Sequence, residues 1–159
     1  MDVGFTGHQH REGIQWSWVE RALRVELHKL RDVRKALSSL AAGSDQLFAE
    51  AAMRLGIPVV AVIPLENYER FFDPVALASY HRLLGECEAV QLRWNGDPEQ
   101  AFFQAGKFIV DHCDLLFAVW DGAPAEGLGG TSDVVTYARG NRRPVLHINP
   151  VTESVGWIS

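Results

Sequence analysis

The chain has 159 residues, of which 47% are hydrophobic and 22% charged, with a formal net charge of -5. That length and apolar fraction suit a single domain, residues 1–159, with a core of its own and little room for a second. The acidic balance, with Lys and Arg spread along the chain, offers no basic face for the phosphates of a duplex. No nucleic-acid partner is therefore expected.

In chain order, apolar runs at 2–6, 36–41, 57–63, 89–93, 114–120 and 143–148 read as strands, several too apolar to have a wet face. Amphipathic helices are expected between them at 16–33, 44–55, 74–86, 98–112 and 131–140. In the first helix Trp18, Ala22, Val25 and Leu30 recur at helical spacing and form the expected apolar face. Ser44 and Asp97 stand where N-caps belong, and Pro58, Pro74 and Pro144 punctuate element starts. Strand and helix alternating over the whole length predict an α/β fold: a Rossmann-like, open, mostly parallel sheet with helices on both faces. In such a fold the ligand lies beyond the carboxyl ends of the strands.

The N-terminus lacks a basic and then apolar leader, and the most apolar run, IPVVAVIPL (57–65), is short. The expectation is a cytoplasmic protein with no membrane partner. Cys87 and Cys113 lie far apart, with no paired Cys/His spacing, and read as buried small hydrophobes rather than zinc ligands. His8 and His10, two residues apart in a turn, supply two ligands at most, and no nearby Asp, Glu or Cys completes a metal set. Neither a metal nor a cofactor is expected.

Three strand-to-helix junctions carry small or polar residues and should emerge on one edge: Thr6-Gly7-His8-Gln9, Ala42-Gly43-Ser44-Asp45, and Asp121-Gly122 through Gly129-Gly130-Thr131-Ser132-Asp133. Glycine permits close backbone approach, and the first amides of the following helices are unpaired and partly positive. Together the junctions form a candidate cradle for an anionic group. Gln9 and Arg11 are available to reach the same anion. Asp121 is read either as an acceptor for a ligand ribose or as a loop cap, Asp45 as a capping carboxylate, and Glu50 as a solvated face residue. The ENYERFF stretch (66–72) is either a lid over a base or a short packed helix.

VGFTGHQ, AAGSDQLFAEAA (41–52) and IVDHCDLLFAVWDG with GGTSDVVTYAR (109–139) resemble, in order and spacing, the SLOG superfamily of SMF/DprA and LOG proteins, and within it the small bacterial YpsA-type members. The resemblance implies a Rossmann-like fold that binds a nucleotide or nucleotide-derived ligand. Gly129, Gly130 and Thr131 would hold a phosphate, and Gly7 and Gly43 would line the same cleft. It also raises the LOG reaction, hydrolysis of the N-glycosidic bond of a nucleoside monophosphate. In the LOG signature a catalytic Glu follows the Gly-Gly-x-Gly-Thr turn and an Arg lies on the preceding helix. Here Val134 stands at the Glu position and no Arg lies between Phe102 and Cys113. The expected function is therefore a sensor or ligand-binding module. The alternative is a phosphoribohydrolase using Asp133 or Asp121, and a homodimer is expected in either case.

Overall fold

The runs VVAVI and LLFAV are apolar at every position, so they need cover on both faces. In the computed structural model, which describes residues 1–9, 11–124 and 130–158, every residue of Val59–Ile63 and Leu115–Val119 is buried. The described elements are β1 (Asp2–Gly7), α1 (Trp16–Lys29), β2 (Lys35–Ser38), α2 (Ser44–Arg54), β3 (Val59–Ile63), a 3-10 turn (Tyr68–Phe71), α3 (Pro74–Leu84), β4 (Glu88–Gln91), α4 (Pro98–Asp111), β5 (Leu115–Val119), α5 (Thr131–Gly140), β6 (Val145–Asn149) and β7 (Ser154–Ile158).

All seven strands join one sheet in the order β4-β3-β2-β1-β5-β6-β7. Neighbours run parallel except β6 and β7, which are antiparallel. Alternation along β1 divides the core. Val3 and Phe5 face the cluster built with Val19, Leu23 and Leu27 of α1 and Phe48 of α2. On the other face, a side chain at Gly4 would collide with Ile109 of α4 and Cys113. Ala105 and Val110 of α4 pack there with Val134 and Ala138 of α5. The predicted Rossmann-like α/β fold is thus the observed one. The order of connection reverses between β1, which leads to β2 on one side, and β5 on its other side. A crevice opens at such a switch point.

Several local expectations are corrected. β7 was not anticipated, because Ser154–Ile158 is short, exposed and interrupted by Gly156. The second strand stops at Ser38 rather than 41, since the Ser38 hydroxyl accepts the Leu40 amide at 3.0 Å and Leu40 takes a positive φ of 55°. The N-cap of α2 is Gly43, not Ser44, whose hydroxyl donates to the His8 carbonyl at 2.7 Å. Asp97 does cap α4, accepting from the Glu99 amide at 3.0 Å. The buried face of α1 is Val19, Leu23 and Leu27, while Val25 is 52% exposed. A spacing of four residues keeps the former three on one side of the helix, and Val25 falls on the other.

Phe48 ties the adjacent central strands β1 and β5 to α2: its ring stacks on Phe5 at 4.6 Å and meets Phe117 edge-on at 5.9 Å. Phe48→Ala should cost about 3–5 kcal/mol, read as a lower urea midpoint. A midpoint close to that of the unaltered protein would show that this cluster contributes little.

Candidate ligand site at the carboxyl edge of the sheet

The β1–α1 and β2–α2 turns meet back to back. The His8 carbonyl accepts from both the amide (3.2 Å) and the hydroxyl (2.7 Å) of Ser44. Gly43, at φ 85°, lies so close to the Gln9 carbonyl that a Cβ there would overlap it, and a Cβ at Gly7 would overlap the Ser44 hydroxyl. These glycines are required by the approach of one turn to another. Ser44 is fully buried and its hydroxyl is spent on His8.

Beside this junction lies a cavity of about 300 Å³. Thr6, Gly7, His8 and Gln9 line it from the end of β1 and the turn that follows, Ser39, Ala41 and Asp45 from the β2–α2 region, Gly130, Thr131 and Val134 from the N-cap and first turn of α5, and Phe102, Gly106 and Ile109 from α4. Of the expected site residues, Gly7, His8, Gln9, Asp45, Gly130 and Thr131 are thus brought together. Gly43, Ser44, Asp121 and Gly122 are not part of this lining, nor is Asp133. Gly129 and His10 lie outside the described residues.

Asp121 stands at the end of β5 in a separate cluster. Its carboxylate pairs with Arg11 and accepts the Ala123 amide at 3.0 Å. Burial pushes this carboxyl up, but the Ala123 amide, Arg11 and His8 together bring it below its ordinary value. Its backbone N–H donates to His8 Nε2 at 3.2 Å, which requires a lone pair on that nitrogen. Burial likewise holds the imidazole below its ordinary pKa, against the opposing pull of Asp121. The same Nε2 lies 3.5 Å from the Asp121 carboxylate, so the imidazole bridges the end of β1 and the end of β5.

Asp45 is the most perturbed acid. It is 6% exposed, accepts the Ser38 hydroxyl at 2.8 Å and bonds the backbone at Ser39 and Ala41. Burial raises its carboxyl to about 7, with those hydrogen bonds pulling the other way. It was expected to cap the helix; instead it turns back to order the β2–α2 turn and faces the cavity. Glu50 lies on the outside, bonded to Arg82 at 2.5 Å.

Tyr68 and Phe102 were not singled out as individual site residues. The ENYERFF stretch packs as the 3-10 turn, with Tyr68 only 4% exposed and set against Tyr80 and Phe72, yet it also lines the cavity. Its clustered aromatics were the available signal. Among the described residues no group of His, Cys, Asp and Glu is arranged to hold a metal ion.

The Asp45 environment has a pH signature. Unfolded, this carboxyl loses its proton near pH 4; folded, it does so near 7. Between these values the folded state binds more protons, so its contribution to stability falls as pH rises and levels off above 7. The stability difference between the unaltered protein and Asp45→Asn, measured by urea unfolding, should therefore decline from pH 4 to 7. A difference that does not change with pH would identify an ordinary solvated carboxylate.

No family model and no curated protein matches the sequence. Solved structures do. The DNA processing protein A (DprA) of Streptococcus pneumoniae superposes with a TM-score of 0.64 at 20% identity, over 92% of this chain and 49% of that one. DprA of Helicobacter pylori, described for its single-stranded DNA binding mode, gives 0.66 at 13% identity, over 92% and 64%. The protein TM1055 gives 0.56 at 15%, over 91% and 71%. This chain thus spans about half of one DprA chain and under two thirds of the other.

The exclusion of nucleic acid as a partner is overturned by these neighbours, since DNA-handling proteins carry the same fold. Net charge averages over the surface and conceals local clusters. Arg93, Trp94, Lys107, Phe108 and Tyr137 share one groove of about 370 Å³ with a single acid, Asp111, which accepts the Tyr137 hydroxyl at 2.9 Å, a local clustering that composition does not reveal. No helix among the described residues is long and apolar enough to cross a membrane. With strand order, helix placement and structural neighbours in agreement, the chain has the Rossmann-like α/β fold that the DprA structures also contain.

Proposed function

We propose that the cavity binds a nucleotide or nucleotide-derived small molecule and that the protein acts as a sensor or binding module. One observation carries this reading. A single cavity joins the amino end of α5, where Gly130 provides no side-chain cap, to the buried carboxyl of Asp45 and the rings of Tyr68 and Phe102. Unpaired amides at a helix start attract a phosphate. Aromatic rings suit a planar base, and an acidic group on the same wall suits its hydrogen-bond donors or those of a ribose. Gly7 and Gly43 support the site by letting its two turns meet.

Hydrolysis is disfavoured by what faces the cavity. Val134, at the position of the LOG carboxylate, lines it and is 2% exposed, whereas Asp133 and Asp121 do not line it. The neighbouring helix has no room for the missing Arg: Ala105 is buried, and a Cβ at Gly106 would lie 2.5 Å from Val134.

A second reading, single-stranded nucleic acid as ligand, is favoured by the groove of Arg93, Trp94, Lys107, Phe108 and Tyr137. There Lys107 Nζ sits 4.8 Å above the Phe103 ring and 5.8 Å from that of Tyr137, and such surfaces combine phosphate attraction with base stacking. Trp94→Ala together with Lys107→Ala should weaken oligonucleotide binding in a fluorescence titration and leave mononucleotide binding intact. Equal oligonucleotide affinity would dismiss the groove.

The main reading is tested with a panel of nucleoside monophosphates, followed by thermal shift and by assay for free base. A shift without base release is expected. Gly130→Val should abolish the shift with little change in the unliganded melting temperature, because Gly130 has φ -70°, a conformation open to any residue, so the added branches only obstruct the anion. Unchanged affinity by calorimetry would place the anion elsewhere. Base release by the unaltered protein should be very slow or absent, since losing a charge-stabilising group commonly costs on the order of 10² or more in rate. Robust release that is lost in Asp133→Asn and kept in Val134→Ala would establish the hydrolase instead.

A further inference from the structure

Helix α1 buries Val19, Leu23 and Leu27. Its outer side carries Arg21, Arg24, Val25, His28 and Lys29, which follow one another as a single stripe at helical spacing. Facing them across a groove of about 450 Å³ are Ala51, Arg54 and Leu55 at the end of α2. The floor is apolar and open to solvent, with Val25 52% and Leu55 41% exposed.

The rim is cationic on a chain whose net charge is -5. Two acids temper it: Glu26 accepts from Lys29 at 2.9 Å, and Glu20 lies 3.4 Å from Arg54. Arg21 and Arg24 form no ion pair among the described residues. Basic groups in a last helical turn complement the helix dipole, which accounts for His28, Lys29 and Arg54. It does not account for Arg21 and Arg24, nor for the exposed Val25 between them.

We propose that this groove docks an acidic amphipathic helical segment of a partner protein, its apolar side chains covering Val25 and Leu55 and its carboxylates meeting the arginines. Charge complementarity and the apolar floor select this occupant together. Nucleic acid would satisfy the cations and leave the floor wet, and among the described residues no Phe, Tyr or Trp lines the groove to offer a base a broad stacking surface. A bilayer is flat, whereas the groove is concave. From Arg21 to Lys29 the stripe runs about 12 Å, the length of roughly two turns of a partner helix.

The probe is a fluorescein-labelled peptide of about 14 residues with Leu at helical spacing i, i+3, i+4, i+7 and Glu elsewhere, titrated with the full chain by anisotropy. Saturable binding is expected, and it should weaken by about tenfold or more when Ser replaces Leu in the peptide. Arg21→Glu with Arg24→Glu, both exposed positions, should weaken it similarly at an unchanged melting temperature, while the same peptide with Lys for Glu should prefer the double variant over the unaltered protein. Absence of binding, equal affinity for the Ser peptide, or indifference to the double variant would overturn the proposal. So would self-association of the free protein that Val25→Glu abolishes, which would assign the face to a second copy.

Discussion

The meeting of the first two strand-to-helix turns governs the rest of the site. The His8 carbonyl accepts two hydrogen bonds from Ser44, and this contact is feasible only because Gly7 and Gly43 have no side chains at the point of approach. It fixes the start of α2 against the end of β1, and so decides where Asp45 points. An ordinary residue at either glycine would push the turns apart and open the cavity floor.

Asp45 illustrates the consequence. An acid in the first turn of a helix is normally stabilised by the helix dipole and left in water. Here the helix start is drawn inward, the carboxyl is buried, and three hydrogen bonds from the β2–α2 turn replace its hydration without fully compensating burial. The same group therefore holds a turn in place and presents a titratable surface to the cavity. Polar networks of this kind rigidify a site when every member is satisfied, and no buried side-chain nitrogen or oxygen among the described residues lacks a partner.

The two helical faces of the sheet are used differently. On the α4–α5 side, packing is close enough that Gly106 has no space for a Cβ against Val134, and this contact forms one wall of the cavity. On the α1–α2 side, the core is completed by large side chains such as Phe48, Leu23 and Leu27, so the outer stripe of α1 is free of packing duties. Its composition, cationic around an apolar centre, is not required by the fold.

Much of the architecture was legible in the chain alone. Fully apolar runs such as VVAVI and LLFAV demand cover on both faces, amphipathic segments between them supply it, and short crossovers leave a parallel sheet as the solution. The carboxyl edge followed from that pattern, and on it Gly7, His8, Gln9, Asp45, Gly130 and Thr131 converge, whereas the switch point between β1 and β5 required the strand order. Sequence periodicity could not decide which side of α1 is buried, because Val25 and Val19 are chemically alike and only docking against the sheet separates them. Nor could it separate a glycine kept for a ligand from one kept for another turn, since both need the same missing Cβ. Charge counted along the chain likewise gave no sign of cationic grooves, because residues as distant as Arg93 and Tyr137, or Arg21 and Arg54, become neighbours only when helices pack. Local pattern determines the elements and their order; close approach, burial and surface clustering arise between elements, and the tertiary structure alone decides them.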